Sequence, residues 1–201
     1  MTSGASARHL AMTPNRAFAT LMAVANRASY AAALANLSPP GNGRILEIGF
    51  GAGAWIERVL RRFPGCTIAG IDPTPGMLAL AQSRAALRRA GARVELVCAG
   101  AESIPFPAGC FDAAVAIHSF QFWAEPDKAL DGVSRVLRPG GRLVLVLRSH
   151  DGVAPAWLPN PISRSGAEVE GACAAIRHAG LAVLKIEQGQ SFSVVCAVKS
   201  A

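Results

Sequence analysis

Little acid, little lysine and one tyrosine bound this 201-residue chain before any motif is read. No acidic residue precedes Glu47, only Lys128, Lys185 and Lys199 are lysines, and Tyr30 is the single tyrosine, yet the net charge is +7. The excess is therefore arginine. It falls at spacings such as Arg58, Arg61, Arg62 and Arg84, Arg88, Arg89, which read as solvated helix faces and argue against a nucleic-acid partner. The five cysteines, Cys66, Cys98, Cys110, Cys173 and Cys196, are odd in number and show no paired spacing. His9, His118, His150 and His178 form no pair at helical ligand spacing. A disulfide framework, a redox motif and a metal site drop out, and a reducing, cytoplasmic compartment is the default. Arg27 interrupts the N-terminal apolar stretch too early for a membrane span, so no transmembrane segment is expected.

What is present is 51% hydrophobic, with a mean hydropathy of +0.32, and suits one compact domain. The N-terminal 40 residues read as a loose tail and an amphipathic helix over about 15–37, closed by Ser38-Pro39-Pro40-Gly41. Alanine, arginine and the lack of acid there are also features of organellar transit peptides, but helical spacing of Phe18, Leu21, Met22, Ala25 and Ala28 is the stronger reading.

The centre of the sequence is Ile45-Leu46-Glu47-Ile48-Gly49-Phe50-Gly51-Ala52-Gly53. An apolar strand ends in a carboxylate, then in alternate glycines, and a helix through residues 54–63 follows. Glycines let backbone approach a ligand with no Cβ in the way, and the helix start presents unpaired N–H groups. A second short strand, residues 67–71, ends at Asp72, placed for the ribose hydroxyls of a nucleoside ligand, although Asp72-Pro73-Thr74-Pro75 also suits a helix cap. A helix is expected to run on to Arg89, stopping at Gly91. Further strands are read at 94–98, 111–117 and 142–147, with a helix from about 126 to 137. Near-continuous apolar strands alternating with helices predict a parallel sheet covered on both faces, with ligands at the strand carboxyl ends. The chain then departs from that alternation. A capping box, Ser165-Gly166-Ala167-Glu168, opens a last helix, and strands at 181–187 and 191–198 form a hairpin, so the sheet ends with a reversed strand.

These stretches resemble the class I S-adenosyl-L-methionine (SAM) dependent methyltransferases, especially the small-molecule, methyltransferase type 11 group that includes quinone-biosynthesis enzymes. The resemblance is carried by Leu46-Glu47-Ile48-Gly49-Phe50-Gly51-Ala52-Gly53, by Gly70-Ile71-Asp72-Pro73 with Met77-Leu78, by Ala101-Glu102-Ser103-Ile104-Pro105-Phe106-Pro107 with Phe111-Asp112, and by Arg135-Val136-Leu137-Arg138-Pro139-Gly140-Gly141. It implies an α/β, Rossmann-like, doubly wound sheet of seven strands, mostly parallel with the last antiparallel, in a SAM-binding domain over residues 41–201. It also implies that Glu47, Gly49, Phe50, Gly51 and Gly53 line the methionine and ribose parts of SAM and that Asp72 binds the ribose hydroxyls. Pro73 and Met77 would flank the adenine, Ala101 and Glu102 would lie at its edge, and the segment Ile117-His118-Ser119, His118 above all, would approach the methionine end. One position departs from the family: Gly100 stands where an acid normally receives the adenine amino group. Adenine recognition then falls to the Ala101 backbone, Glu102 or water, and Gly100→Asp would be expected to tighten SAM binding.

Gly49-x-Gly51-x-x-Ala54 also satisfies the dinucleotide fingerprint of NAD enzymes. Glu47 argues against it, because a carboxylate at the mouth of the loop repels a pyrophosphate and favours the ammonium and sulfonium of SAM. Methyl transfer is an in-line displacement, so alignment and desolvation carry much of the rate, with a base only where the acceptor loses a proton. His118 is the candidate base, against a structural role. Phe122 and Trp123, Trp157 in the apolar loop 153–161, and Tyr30 on a lid-like N-terminal helix are candidate acceptor contacts, which suggests a small apolar or aromatic acceptor. The alternatives are a SAM-binding protein with weak or no transferase activity, or a nucleic-acid methyltransferase. For the latter, Ile117-His118-Ser119-Phe120 lacks the expected Asp or Asn followed by two prolines.

Overall fold

The computed structural model describes residues 16–148 and 166–200. Helices α1 (Arg16–Ala25) and α2 (Arg27–Ala35) lead into β1 (Arg44–Ile48), α3 (Ala54–Arg62), β2 (Thr67–Asp72), α4 (Pro75–Gln82), α5 (Ala85–Ala90) and β3 (Val94–Cys98). Next come β4 (Phe111–Ile117), α6 (Pro126–Val136), β5 (Leu137–Arg148), α7 (Gly166–His178), β6 (Leu181–Gln188) and β7 (Phe192–Lys199). The seven strands form one sheet in the order β3-β2-β1-β4-β5-β7-β6. Strands β1 to β5 pair in parallel, and β7 runs antiparallel to both β5 and β6. The predicted doubly wound sheet with a reversed final strand is the one found. The strand order turns between β1 and β4, and such a switch point opens a crevice at the strand carboxyl ends.

Each face of the sheet has its own core. On one face Leu46, Ile48, Leu143 and Leu145 pack with Leu130 and Val133 of α6 and with Ile176 of α7. On the other, Ile45, Val115 and Val144 pack with Ala33 of α2 and with Trp55, Ile56 and Val59 of α3. Side chains alternate along a strand, so Glu47 shares the face of Ile45, beneath α2 and α3. Helix α2 is firmly held there: Ala33 is fully buried, and the Trp55 indole N–H donates to the Tyr30 carbonyl at 3.3 Å. Tyr30, Ala32 and Leu34 pack against the same core in partly buried positions, so α2 is part of the fold's apolar packing as well as a cover for the strand ends.

The structure corrects three boundaries. The N-terminal helix bends at Asn26 (φ −90°, ψ 11°), although backbone bonds from Asn26 to Met22 and from Tyr30 to Asn26 run through the bend. The helix expected to continue to Arg89 breaks at Arg84, which is extended (φ −70°, ψ 125°) because its guanidinium reaches back to the Ala52 carbonyl and to Glu57. Tertiary contact there overrides good helix propensity. Strand β5 begins five residues early, since Leu137 already pairs with Phe111 before a bulge brings Arg142 opposite Ala113. Among the described residues no helix is long and apolar enough to cross a membrane.

Candidate functional site

The loop after β1 is a succession of left-handed glycines, Gly49 (φ 80°), Gly51 (φ 52°) and Gly53 (φ 74°). Each has a different reason for lacking a side chain. A Cβ on Gly49 would lie 2.4 Å from the Ser119 Cβ, and one on Gly53 would lie 2.9 Å from Leu87 Cδ2. A Cβ on Gly51 would meet nothing within 4 Å. The first two glycines allow the chain to close on itself; Gly51 keeps a space clear. The Phe50 side chain turns into the core against Gly70, leaving its backbone to face the loop.

Asp72 ends β2 beside this space. One oxygen accepts the Gly51 N–H at 2.9 Å and the other accepts the Thr74 N–H at 2.9 Å, so it anchors the glycine loop and the start of α4 together. The cap residue of α4 is Thr74, which makes no side-chain cap bond, so Asp72 steadies the cap residue's own N–H without capping the helix, and each carboxylate oxygen keeps a second lone pair. Pro73 is exposed at the mouth of the crevice and Met77 is half-buried on α4.

Glu47 is 3% exposed, and its Oε2 has no hydrogen-bond partner. Burial first, and then the Asp72 charge, holds its carboxyl well above the usual carboxylate range. Tyr30 lies close enough for the Glu47 charge to add to burial in raising its phenol, and Arg58 stacks on its ring at 5.1 Å.

The loop after β4 brings His118 and Ser119 to the same place. His118 is the single non-glycine residue with positive φ among those described (53°). Its Nε2 lies 2.8 Å from the Ser29 hydroxyl, while Nδ1 is buried without a partner. The Ser119 hydroxyl donates to the Ile48 carbonyl at 2.6 Å. A second tether joins α2 to the strand ends, from Arg148 Nη2 to Asn26 Oδ1 at 3.1 Å. Ser29 and Asn26 were not singled out from the sequence. A serine within an alanine-rich helix gives no local sign that it will meet a histidine 89 positions away.

Burial first, then the Arg148 charge, lowers the His118 imidazole from 6.5 to about 4. It is neutral at pH 7 and a weak base. Because the unfolded chain takes up this proton first as pH falls, the stability His118 contributes is complete above about pH 6.5 and is lost as pH falls through about 4. Between pH 7 and 4.5 the wild type should lose about 2–3 kcal/mol relative to His118→Asn, which tolerates the left-handed backbone. Urea midpoints at the two pH values measure this, and parallel curves for the two proteins would rule it out.

The remaining expected contacts separate. Ala101 is buried in a tight turn, and Glu102 turns towards α6, where its Oε1 accepts the Ala124 N–H at 2.7 Å. Its Oε2 would lie 3.0 Å from a Cβ on Gly100. Gly100→Asp therefore sets two carboxylates together, and the tightening expected of it has to overcome that repulsion. Trp123 packs edge-on to the buried Phe120 at 4.9 Å, whereas Phe122 is 63% exposed. His150, Trp157 with the 153–161 loop, and the capping Ser165 lie outside the described residues.

Comparison with known proteins places this geometry. A family model described as a methyltransferase domain matches residues 46–145. A demethylmenaquinone methyltransferase from Thermus thermophilus is 41% identical over 103 residues, covering 51% of this chain and 46% of that protein. The uncharacterized methyltransferase YdaC of Bacillus subtilis is 30% identical over 107 residues, covering 53% of this chain and 57% of that protein. The chain thus spans about half the length of the curated relatives it matches. Among solved structures, a SAM-dependent methyltransferase from Aquifex aeolicus aligns with a TM-score of 0.74 at 20% identity, covering 92% of this chain and 98% of that one. The [4+2]-cyclase SpnF aligns with a TM-score of 0.73 at 23% identity, covering 87% and 80%. Both share the fold.

Proposed function

Because the chain belongs to the methyltransferase-domain family, matched over residues 46–145, we propose that it moves a methyl group from SAM to a small apolar or aromatic acceptor of the quinol kind. The observation that carries this reading is the pairing of an unpartnered, buried Glu47 Oε2 with the clear space beside Gly51. A buried carboxylate with no partner is costly unless a cation arrives, and SAM brings an ammonium. These residues fit the cofactor.

When bound, SAM supplies an electrophilic methyl group on a sulfonium. The chain holds and orients it. Glu47 takes the ammonium, Gly51 leaves room for the methionine and ribose parts, and Asp72 accepts from the ribose hydroxyls with its remaining lone pairs. Pro73 and Met77 flank the adenine, with Ala101 at its edge; Glu102, held by the start of α6, contributes through its second oxygen. Helix α2 and Tyr30 cover the crevice and exclude water, which favours a displacement that needs alignment above all. His118, neutral at pH 7, offers Nδ1 to the acceptor and positions it; its low basicity makes it a poor store for a proton. Phe122, Trp123 and Trp157 are the candidate apolar contacts for the acceptor.

Calorimetry tests the binding reading. SAM should bind and NADH should not. Ligand-free Glu47 has a raised proton affinity and the ammonium favours its charged form, so binding should release a proton. The apparent enthalpy will then differ between phosphate and Tris buffers. Glu47→Gln should abolish that difference and weaken SAM about tenfold or more. Transfer is tested with methyl-labelled SAM and demethylmenaquinol, with label expected in the organic phase. SAM binding without label transfer across apolar and aromatic acceptors would favour the non-transferase alternative, which the engagement of Glu102 by α6 and the glycine at position 100 keep specific.

A further inference from the structure

A cavity of about 400 Å³ opens between the outer faces of α2 and α3, and of its lining residues only Arg58, over the Tyr30 ring, touches the site above. Its floor is Ala31 and Leu34, and its rim is Arg27, Arg58, Arg61 and Arg62. Arg58 is occupied by the Tyr30 ring and by the Ala54 carbonyl, and Arg62 stacks on Phe63. Among the described residues the ion-paired acid of this cluster is Glu57, which binds Arg61 at 2.9 Å and is shared with Arg84 at 3.0 Å. Four guanidinium groups therefore surround an apolar floor with a single, shared counter-charge.

The apolar component continues beyond the cavity. Thr20 and Val24 lie on one stripe of α1, and Arg27, Ala31 and Leu34 lie on one stripe of α2, on the two sides of the bend at Asn26. Val24 is 66% exposed on the α1 stripe, and Leu21, at its flank, is 62% exposed. Large exposed aliphatic side chains beside clustered arginines need an explanation that solvation of a charged face does not supply.

We propose that the α1–α2–α3 face docks on an anionic phospholipid surface, with Leu21 and Val24 entering the headgroup boundary and Arg27, Arg61 and Arg62 binding lipid phosphates. Charge complementarity selects this occupant. Residues 1–15 contain no acid and residues 149–165 contain one, Asp151, so these segments carry at most one counter-charge for a four-arginine rim. A second copy would present the same positive face. A nucleic acid would use the arginines but leave Val24 and Leu21 without a role, whereas a basic face bordered by exposed aliphatic residues is the pattern of an interfacial helix. The proposal is independent of which acceptor is methylated. It would bring the crevice next to α2 to the phase in which an apolar acceptor dissolves.

Vesicle flotation of the full chain tests it. Vesicles of 30 mol% phosphatidylglycerol in phosphatidylcholine should carry the protein at 50 mM NaCl and release it at 500 mM, and pure phosphatidylcholine should not carry it. Each arginine removed should weaken binding about fivefold, so Arg27→Gln/Arg61→Gln/Arg62→Gln should lose on the order of a hundredfold. Leu21→Ser/Val24→Ser should also weaken binding, while SAM affinity by calorimetry stays that of the wild type and reports a folded protein. Equal binding to neutral vesicles, binding that survives 500 mM NaCl, no binding to the anionic vesicles, or tighter binding to duplex DNA than to the vesicles would each overturn the proposal. The salt and lipid dependence of the wild type decides the matter even if the triple variant fails to fold. None of these outcomes bears on whether SAM binds.

Discussion

Gly49→Ala should destabilise the protein by about 3–5 kcal/mol and leave no measurable SAM binding. Two separate costs combine at this position. The new methyl carbon would sit 2.4 Å from the Ser119 Cβ, well inside contact distance, and the backbone is at φ 80°, where an L side chain is strained. Ser119 cannot move aside freely, since its hydroxyl is bound to the Ile48 carbonyl at 2.6 Å. The two costs are separable by Gly49→Ala/Ser119→Gly, which removes the clash and should recover about half of the lost stability in a urea titration, leaving the backbone strain. Gly51→Ala is the informative contrast. Nothing lies within 4 Å of its Cβ, so only the strain at φ 52° remains, about 1–2 kcal/mol. Its SAM affinity should nevertheless fall at least as far as that of Gly49→Ala. If Gly51→Ala keeps wild-type affinity, the clear space at Gly51 is not where the cofactor lies.

Asp72→Ala is expected to reduce SAM affinity more than a hundredfold and to cost about 2–4 kcal/mol of stability. The stability loss follows from two backbone donors, at Gly51 and Thr74, each of which now bonds to Asp72 at 2.9 Å. Removing the carboxylate leaves both without an acceptor, at about 1–3 kcal/mol apiece. Part of this is returned, because Asp72 also helps to hold a proton on buried Glu47, and that repulsion disappears. The affinity loss adds the ribose contacts, which are charge-assisted, to the loosening of the glycine loop. Asp72→Asn separates the two effects: it retains one acceptor for the backbone but no charge, and should lie between wild type and Asp72→Ala in both calorimetry and urea midpoint. An Asp72→Ala protein that is folded and binds SAM within threefold of the wild type would sink the ribose assignment.

Much of the crevice was legible because the residues that make it obey local rules. A strand followed by alternate glycines has few alternative conformations, and the ends of β3 and β4 coincide with the limits of their apolar runs. What was not legible depends on distant partners. The residues around Arg84 read as good helix, but its guanidinium is drawn to a carbonyl 32 positions earlier, and the helix divides there. The engagement of Glu102 Oε1 by the Ala124 amide was likewise not legible, since it depends on a partner 22 positions away. The arginines on α3 read as ordinary solvated positions until α2 was placed beside them, since a groove has no signature in either helix alone. The same holds for Ser29, whose meaning comes wholly from the left-handed turn at His118.

The position of β7 between β5 and β6 has a consequence for the order of synthesis. Strand β5, an interior strand of the finished sheet, pairs along Arg142–Arg148 with residues 192–198, so that edge stays unsatisfied while the intervening α7 and β6 are being made. A nascent chain that has completed the parallel half, glycine loop included, still carries an open, strongly apolar strand edge, the kind that recruits other chains. Pairing with β7 closes it, and Lys199 at the end of β7 donates to the Ser134 and Leu137 carbonyls at 2.7 and 2.9 Å where α6 passes into β5. Translational pausing between residues 148 and 192 would prolong that exposure, while a chaperone that shields a bare β5 would shorten its effect.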